Sequence, residues 1–132
     1  MTHTIRLQGP WELLTARGPM RFQAPGSLEL TDHSDVAGGE IRCRRRFHRP
    51  TGIAGSTVHL VVAPTPHSSN TEVFLDNCSL GSTSSSELRF ELNDLKQASM
   101  LELKSRYDSP PPPDAPLIGE VRLEIDDRQR DC

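Results

Sequence analysis

Short extended segments with a two-residue hydrophobic period recur along the 132-residue chain, separated by glycine and proline. In "EIRCRRRF" (residues 40–47) alternation sends Ile41, Cys43, Arg45 and Phe47 to one face and Arg42, Arg44, Arg46 and His48 to the other. "TVHLVVA" (57–63) is β-branched and almost continuously apolar, the pattern of a strand covered on both faces. In "TEVFLD" (71–76) Val73 and Leu75 share a face while Phe74 points to the other. "LRFEL" (88–92) alternates through Leu88, Phe90 and Leu92; "SMLELKS" (99–105) offers Met100 or Leu101, with Leu103; "GEVRLEI" (119–125) offers Val121, Leu123 and Ile125.

Weaker segments precede these. Ile5 and Leu7 mark a first strand ended by Gly9-Pro10, "WELLTA" (11–16) a second, and "MRF" (20–22) a third. A polar loop over 26–39 holds a short strand at 28–30, and Cys78 onward reads as a turn leading into a Ser-rich surface connection. Asn93 or Asp94 can cap one helical turn in "NDLKQA" (93–98). "SPPPPDAP" (109–116) lacks ladder donors at its prolines and is expected to be a stiff, exposed connection. No segment sustains a helical period. The pattern predicts an all-β fold of eight to nine mostly antiparallel strands, forming one β-sandwich domain over 1–132.

Asp76-Asn77 falls where a two-residue hairpin turn requires positive φ, which Asp and Asn tolerate best after glycine. Around it, "TEVFLDNCSLGS" resembles the V-x-L-N-G-x-x-L-G hairpin in the sugar-binding domain of glycoside hydrolase family two, the β-galactosidase and β-glucuronidase family. Val73, Leu75, Asp76, Asn77, Leu80 and Gly81 take the matching positions, with Asp-Asn in place of the family's Asn-Gly. "CRRRFHRP" is similar to Y-R-R-x-F-x-x-P through Arg44, Arg45, Phe47 and Pro50, with Cys43 at the usual Tyr. "FELNDLKQASMLEL" resembles F-D-I-T-D-L-L-x-x-G-x-N-x-L-x-V, shortened and without its Gly and Asn. "GPWEL" looks like the opening G-x-W-x-F, and "LIGEVRLEI" the closing G-I-x-x-x-V-x-L. Five stretches in register imply a galactose-binding-like jelly roll. In that family two glutamates on a separate (β/α)₈ barrel of roughly 250 residues or more do the chemistry. A chain of 132 residues has no room for it, so no catalytic residue carries over and no enzyme activity is expected.

Composition changes little. The net charge is −3, no apolar run approaches the ~20 residues of a transmembrane helix, and the start lacks a signal-peptide pattern. Neither nucleic acid nor membrane is expected as a partner. Three cysteines, Cys43, Cys78 and Cys132, form no C-x-x-C, which points to reduced thiols and a cytoplasmic setting. His3, His33, His48, His59 and His67 show no metal-ligand spacing, and the loop with Asp32 and Asp35 lacks a dense acidic pattern, so no metal or other cofactor is expected. Most aspartates stand at turns or caps, where they satisfy backbone donors.

The arginines of "RCRRRFHR" are split by alternation, and a solvated or salt-bridged strand face explains them better than an RNA patch. Arg45, turned inward, is expected to meet a buried carboxylate. A sugar needs an aromatic under its apolar face and polar groups at its hydroxyls. The chain holds one Trp and one Tyr. Trp11 reads as core. Tyr107, before the proline run, is either a stacking platform or an ordinary strand-end aromatic. The candidate ligand-binding residues are therefore Tyr107, with Arg44 and Arg46 donating to hydroxyls or a carboxylate. The expected role is a non-catalytic binding module for carbohydrate, or alternatively a structural or protein-interaction module that keeps the scaffold without a sugar site.

Overall fold

The computed structural model describes residues 2–15, 18–24, 26, 39–50, 56–92, 97–108, 112 and 114–126. Among them are ten strands and no helix: β1 (Thr2–Arg6), β2 (Trp11–Thr15), β3 (Gly18–Phe22), β4 (Glu40–His48), β5 (Thr57–Val62), β6 (Asn70–Leu75), β7 (Cys78–Thr83), β8 (Leu88–Glu91), β9 (Ala98–Arg106) and β10 (Val121–Asp126). They form a four-stranded sheet, β1-β10-β5-β8, and a six-stranded sheet, β3-β2-β4-β9-β6-β7. Every pairing is antiparallel. The fold is a β-sandwich.

Alternation along the strands builds the interior. In β9, Ser99, Leu101, Leu103 and Ser105 are buried and the residues between them are not. Register then aligns Cys43, Leu103 and Val73 across β4, β9 and β6, so one inward row crosses three strands. Val121, Leu123 and Ile125 of β10 pair with Val62, Leu60 and Val58 of β5 in the other sheet. These side chains belong to one buried cluster. Val61 is also fully buried although it alternates to the outer face, which matches the nearly continuous apolar run of its strand.

Trp11 connects the layers. Its indole is fully buried, and Nε1–H donates to the Leu7 carbonyl at 2.8 Å. Leu7 in turn donates its N–H to the Val121 carbonyl at 2.9 Å, extending the β1–β10 pairing. A hydrogen bond thus joins the start of a strand in one sheet to the end of a strand in the other.

Leu75 pairs with Cys78, leaving Asp76 and Asn77 as a two-residue loop with φ of 50° and 70°. The Met100 N–H donates to Asp76 Oδ1 at 2.9 Å, and the Asp76 N–H to the Met100 carbonyl at 2.9 Å. The sharp turn therefore continues the β6–β9 ladder by one more reciprocal contact.

The sequence reading differs from the structure in two places. Cys78, expected in the turn, and Ser79–Thr83, the first part of the expected Ser-rich connection over 79–87, form β7, with the bends confined to Ser84–Ser86. The proline-rich connection is exposed at Pro112 and Asp114 but turns inward at Ala115, after which Leu117 and Ile118 are fully buried. Ala115 N–H donates to the Pro112 carbonyl, which closes that turn. The expected strand at 28–30 and the helical turn capped at Asn93 or Asp94 lie outside the described residues.

Candidate functional site

Most charged side chains on the outer sheet faces neutralise one another. On the six-stranded sheet Arg44 Nε meets Glu12 Oε1 at 2.9 Å, and Arg42 lies between Glu40 and Glu102 at 3.7 and 3.8 Å. Lys104 reaches Glu40 and Glu72 at 3.7 and 3.8 Å and covers the outward Phe74 ring at 5.7 Å from its centroid. On the four-stranded sheet Arg122 bridges Glu124 at 2.8 Å and Glu87 at 3.2 Å, and Arg89 also holds Glu124. Hydrogen bonds from Arg89 and Arg122 keep the Glu124 carboxyl below the usual carboxylate range.

The exception lies where β2 begins and β4 ends. Two adjoining hollows of about 410 Å³ each open there, and they share Pro10, Arg45 and Arg46. One is lined mainly by apolar groups, among them Ile5, Leu7, Phe47 and Pro50. The other is lined by Arg21, Arg44, Arg45 and Arg46, with Glu12 the one acid among the described residues there. Register explains the convergence: Glu12 pairs with Arg21 of β3 on one side and Arg44 of β4 on the other, and Arg46 stands two residues farther along β4, opposite Met100. Arg21 and Arg46 are exposed, and neither makes an ion pair among the described residues.

Arg45 corrects an expectation. Its guanidinium meets backbone carbonyls instead of a buried carboxylate: Nη2 donates to Gly9 at 3.0 Å and Nη1 to Arg46 at 3.0 Å. The side chain lies half-buried at the rim of the sandwich, where the Gly9-Pro10 backbone crosses within reach. Carbonyl dipoles suffice there because the charge is not fully removed from water. Burial lowers its pKa from the ordinary value, and its Nε finds no partner among the described residues.

The three ligand-site candidates do not meet. Arg44 and Arg46 share the cationic hollow, but Tyr107 lines neither hollow. It is 7% exposed, within the apolar cluster, and its hydroxyl has no partner among the described residues. The cause is visible in β9: Tyr107 takes the next inward position after Ser105, and its N–H donates to the Gly39 carbonyl at 2.6 Å, carrying the ladder one residue beyond the strand. Burial, with a smaller contribution from Cys43, pushes its phenol up to about 12. A ring held this way offers no face for stacking. Local spacing does not point to Glu12 and Arg21, because only the β2–β3 and β2–β4 registers bring them to Arg44.

Other chemistry is sparse. Cys43 is buried and its thiol is pushed up to about 12 by desolvation and then by Glu102, whereas Cys78 is exposed. Among the described residues no three His, Cys, Asp or Glu side chains are grouped to hold a metal ion; Asp32, Asp35 and Cys132 lie outside them. No described helix is long and apolar enough to cross a membrane.

No family model matches the sequence, and no curated protein matches it. Solved structures do match. The β-glucuronidase of Bifidobacterium dentium, complexed with coumarin-3-O-glucuronide, aligns over 96% of this chain and 30% of its own, with TM-score 0.73 and 17% identity. A Ruminococcus gnavus β-glucuronidase aligns over 94% of this chain and 28% of its own, with TM-score 0.71 and 13% identity. A GH2 β-galacturonidase from Eisenbergiella tayi aligns over 94% and 24%, with TM-score 0.69 and 17% identity. The chain has the fold of a family-two glycoside hydrolase domain. At these identities the likeness is one of fold, and the chain spans less than a third of each of these proteins.

Proposed function

We propose that the chain is a non-catalytic binding module and that it takes a carbohydrate at the Pro10 end of the sandwich. One observation carries this reading: an apolar hollow and an arginine-lined hollow of about 410 Å³ each adjoin there and share Arg45 and Arg46. Small-ligand sites run from about 300 to 1,000 Å³ and combine apolar walls with a few polar groups. Here Arg44 and Arg46 supply donors for ring hydroxyls, and Ile5, Pro10 and Pro50 supply surface for the C–H face of a sugar. Tyr107 has no part in this version of the site. The matched enzymes include structures bound to D-glucuronic acid and to a coumarin glucuronide, which supports a sugar as ligand class. Glycoside hydrolysis needs two carboxylates about 5–10 Å apart, and among the described residues the hollows hold one, Glu12, already paired with Arg44. That composition supports a binding role. Cys43 and Cys78, both free, support a cytoplasmic setting.

The test is a glycan array followed by titration calorimetry on the whole chain. Saturable binding, weakened by Arg44→Ala and Arg46→Ala, is the expected result. An array without hits overturns the reading. A second reading, a protein-interaction or structural module, draws on the burial of Tyr107 and on the ion-paired outer face around Lys104. Mass measurement during size-exclusion chromatography tests it for self-association.

A further inference from the structure

Resting on the carbohydrate reading above, we infer that the ligand is an anionic saccharide, with a carboxylate or sulfate held between Arg46, Arg44 and Arg21. The chain as a whole carries a net charge of −3, yet four arginines and one glutamate line this hollow. Arg44 gives its Nε to Glu12, and Arg45 its Nη1 and Nη2 to two carbonyls. Arg21 and Arg46 stand exposed with no ion-pair partner among the described residues, in contrast to Arg42, Arg89, Arg106 and Arg122 on the same two outer faces. Four arginines against one carboxylate among the described residues raise the local potential and favour an anion over a neutral group.

The spacing fits a small anion better than a long one. Arg44 and Arg46 are two residues apart on one strand and point to the same face, so their backbones are ~7 Å apart along it. Arg21 flanks the row on the far side of Glu12. Planar forks at that separation can grip the oxygens of a single carboxylate or sulfate from two sides. The adjoining apolar hollow then takes the ring that carries the acid. An extended acidic peptide would find this charge only at one end of the sheet, since the rest of the face pairs its own cations.

The whole chain should be titrated by calorimetry with four probes: a uronic-acid tetrasaccharide, the same tetrasaccharide with its carboxyls reduced to alcohols, a sulfated tetrasaccharide, and an acidic peptide of matched charge. One of the two anionic saccharides is expected to bind at least about tenfold more tightly than the carboxyl-reduced one, as charge-assisted hydrogen bonds require; the pair tells carboxylate from sulfate. Arg46→Gln and Arg21→Gln should each cost that saccharide about tenfold, Arg46→Lys less, and Arg106→Gln nothing, with circular dichroism checking that each variant is folded. Equal binding of acid and reduced forms overturns this inference and leaves the carbohydrate reading standing. Binding of the peptide alone, or of no probe, overturns both.

Discussion

Replacing Trp11 by phenylalanine separates packing from ligand contact at the position that joins the two sheets. The indole is fully buried and its N–H reaches the Leu7 carbonyl at 2.8 Å. Phenylalanine removes that donor and leaves a carbonyl without its buried partner, a cost of about 1–3 kcal/mol. The smaller ring also leaves a void, which adds about 1 kcal/mol for some 40 Å³ at the usual cavity slope. A loss of about 2–4 kcal/mol is therefore expected, and Trp11→Ala should reach the upper end of the ~3–5 kcal/mol range for large aromatics or exceed it. Urea unfolding followed by far-ultraviolet circular dichroism reads the change, since the substitution removes the only tryptophan. With an m-value of about 1–3 kcal/mol/M, the midpoint should fall by about 0.7 M or more. A shift below about 0.3 M would refute the argument, because a ligand-facing or surface tryptophan changes stability by only about 0.5 kcal/mol.

Four further outcomes are expected. Tyr107 is the only tyrosine, so its ultraviolet absorbance titration should show a midpoint near 12 in the folded protein. Because the fold raises this phenol from 10.0 and Cys43 from 9.0, each to about 12, the stability tied to their neutral forms is complete below pH 9 and is lost as pH climbs toward 12. Gly39→Ala should destabilise by about 1–3 kcal/mol in a thermal melt, since its φ is 73° and an added Cβ would lie 2.8 Å from the Tyr107 carbonyl. Asp76→Ala should cost about 1–2 kcal/mol and speed hydrogen exchange at the Met100 amide, whereas Asp76→Asn, which keeps both the acceptor and the left-handed tolerance, should leave both nearly unchanged.

Alternation made the sandwich legible wherever strands are long and one-sided. Cys43 and Phe47 against Arg42 and Arg44, and Leu101 and Leu103 against Glu102 and Lys104, follow the period along the chain. The turn at Asp76-Asn77 was legible too, because few residues other than glycine accept its dihedral angles. β7 was legible only through the hairpin turn before it: Cys78–Thr83 carries mostly small polar residues at an edge, with no apolar period to mark its extent. Tyr107 was read from its neighbours in sequence, the prolines, while its orientation is set by a ladder bond to Gly39, 68 positions earlier. The arginine-lined hollow was half visible. Arg44 and Arg46 lie on one strand, but Glu12 and Arg21 join them through pairing registers that local spacing does not encode.

The most direct test is an amide chemical-shift map of the ¹⁵N-labelled chain with a uronic-acid tetrasaccharide added. Perturbations centred on Glu12, Arg21 and residues 44–47, saturating together and shrinking with added salt, are the predicted result. Changes clustered instead around Lys104 and β7, or no saturable change at all, would contradict the assignment of the Pro10 end as the binding site.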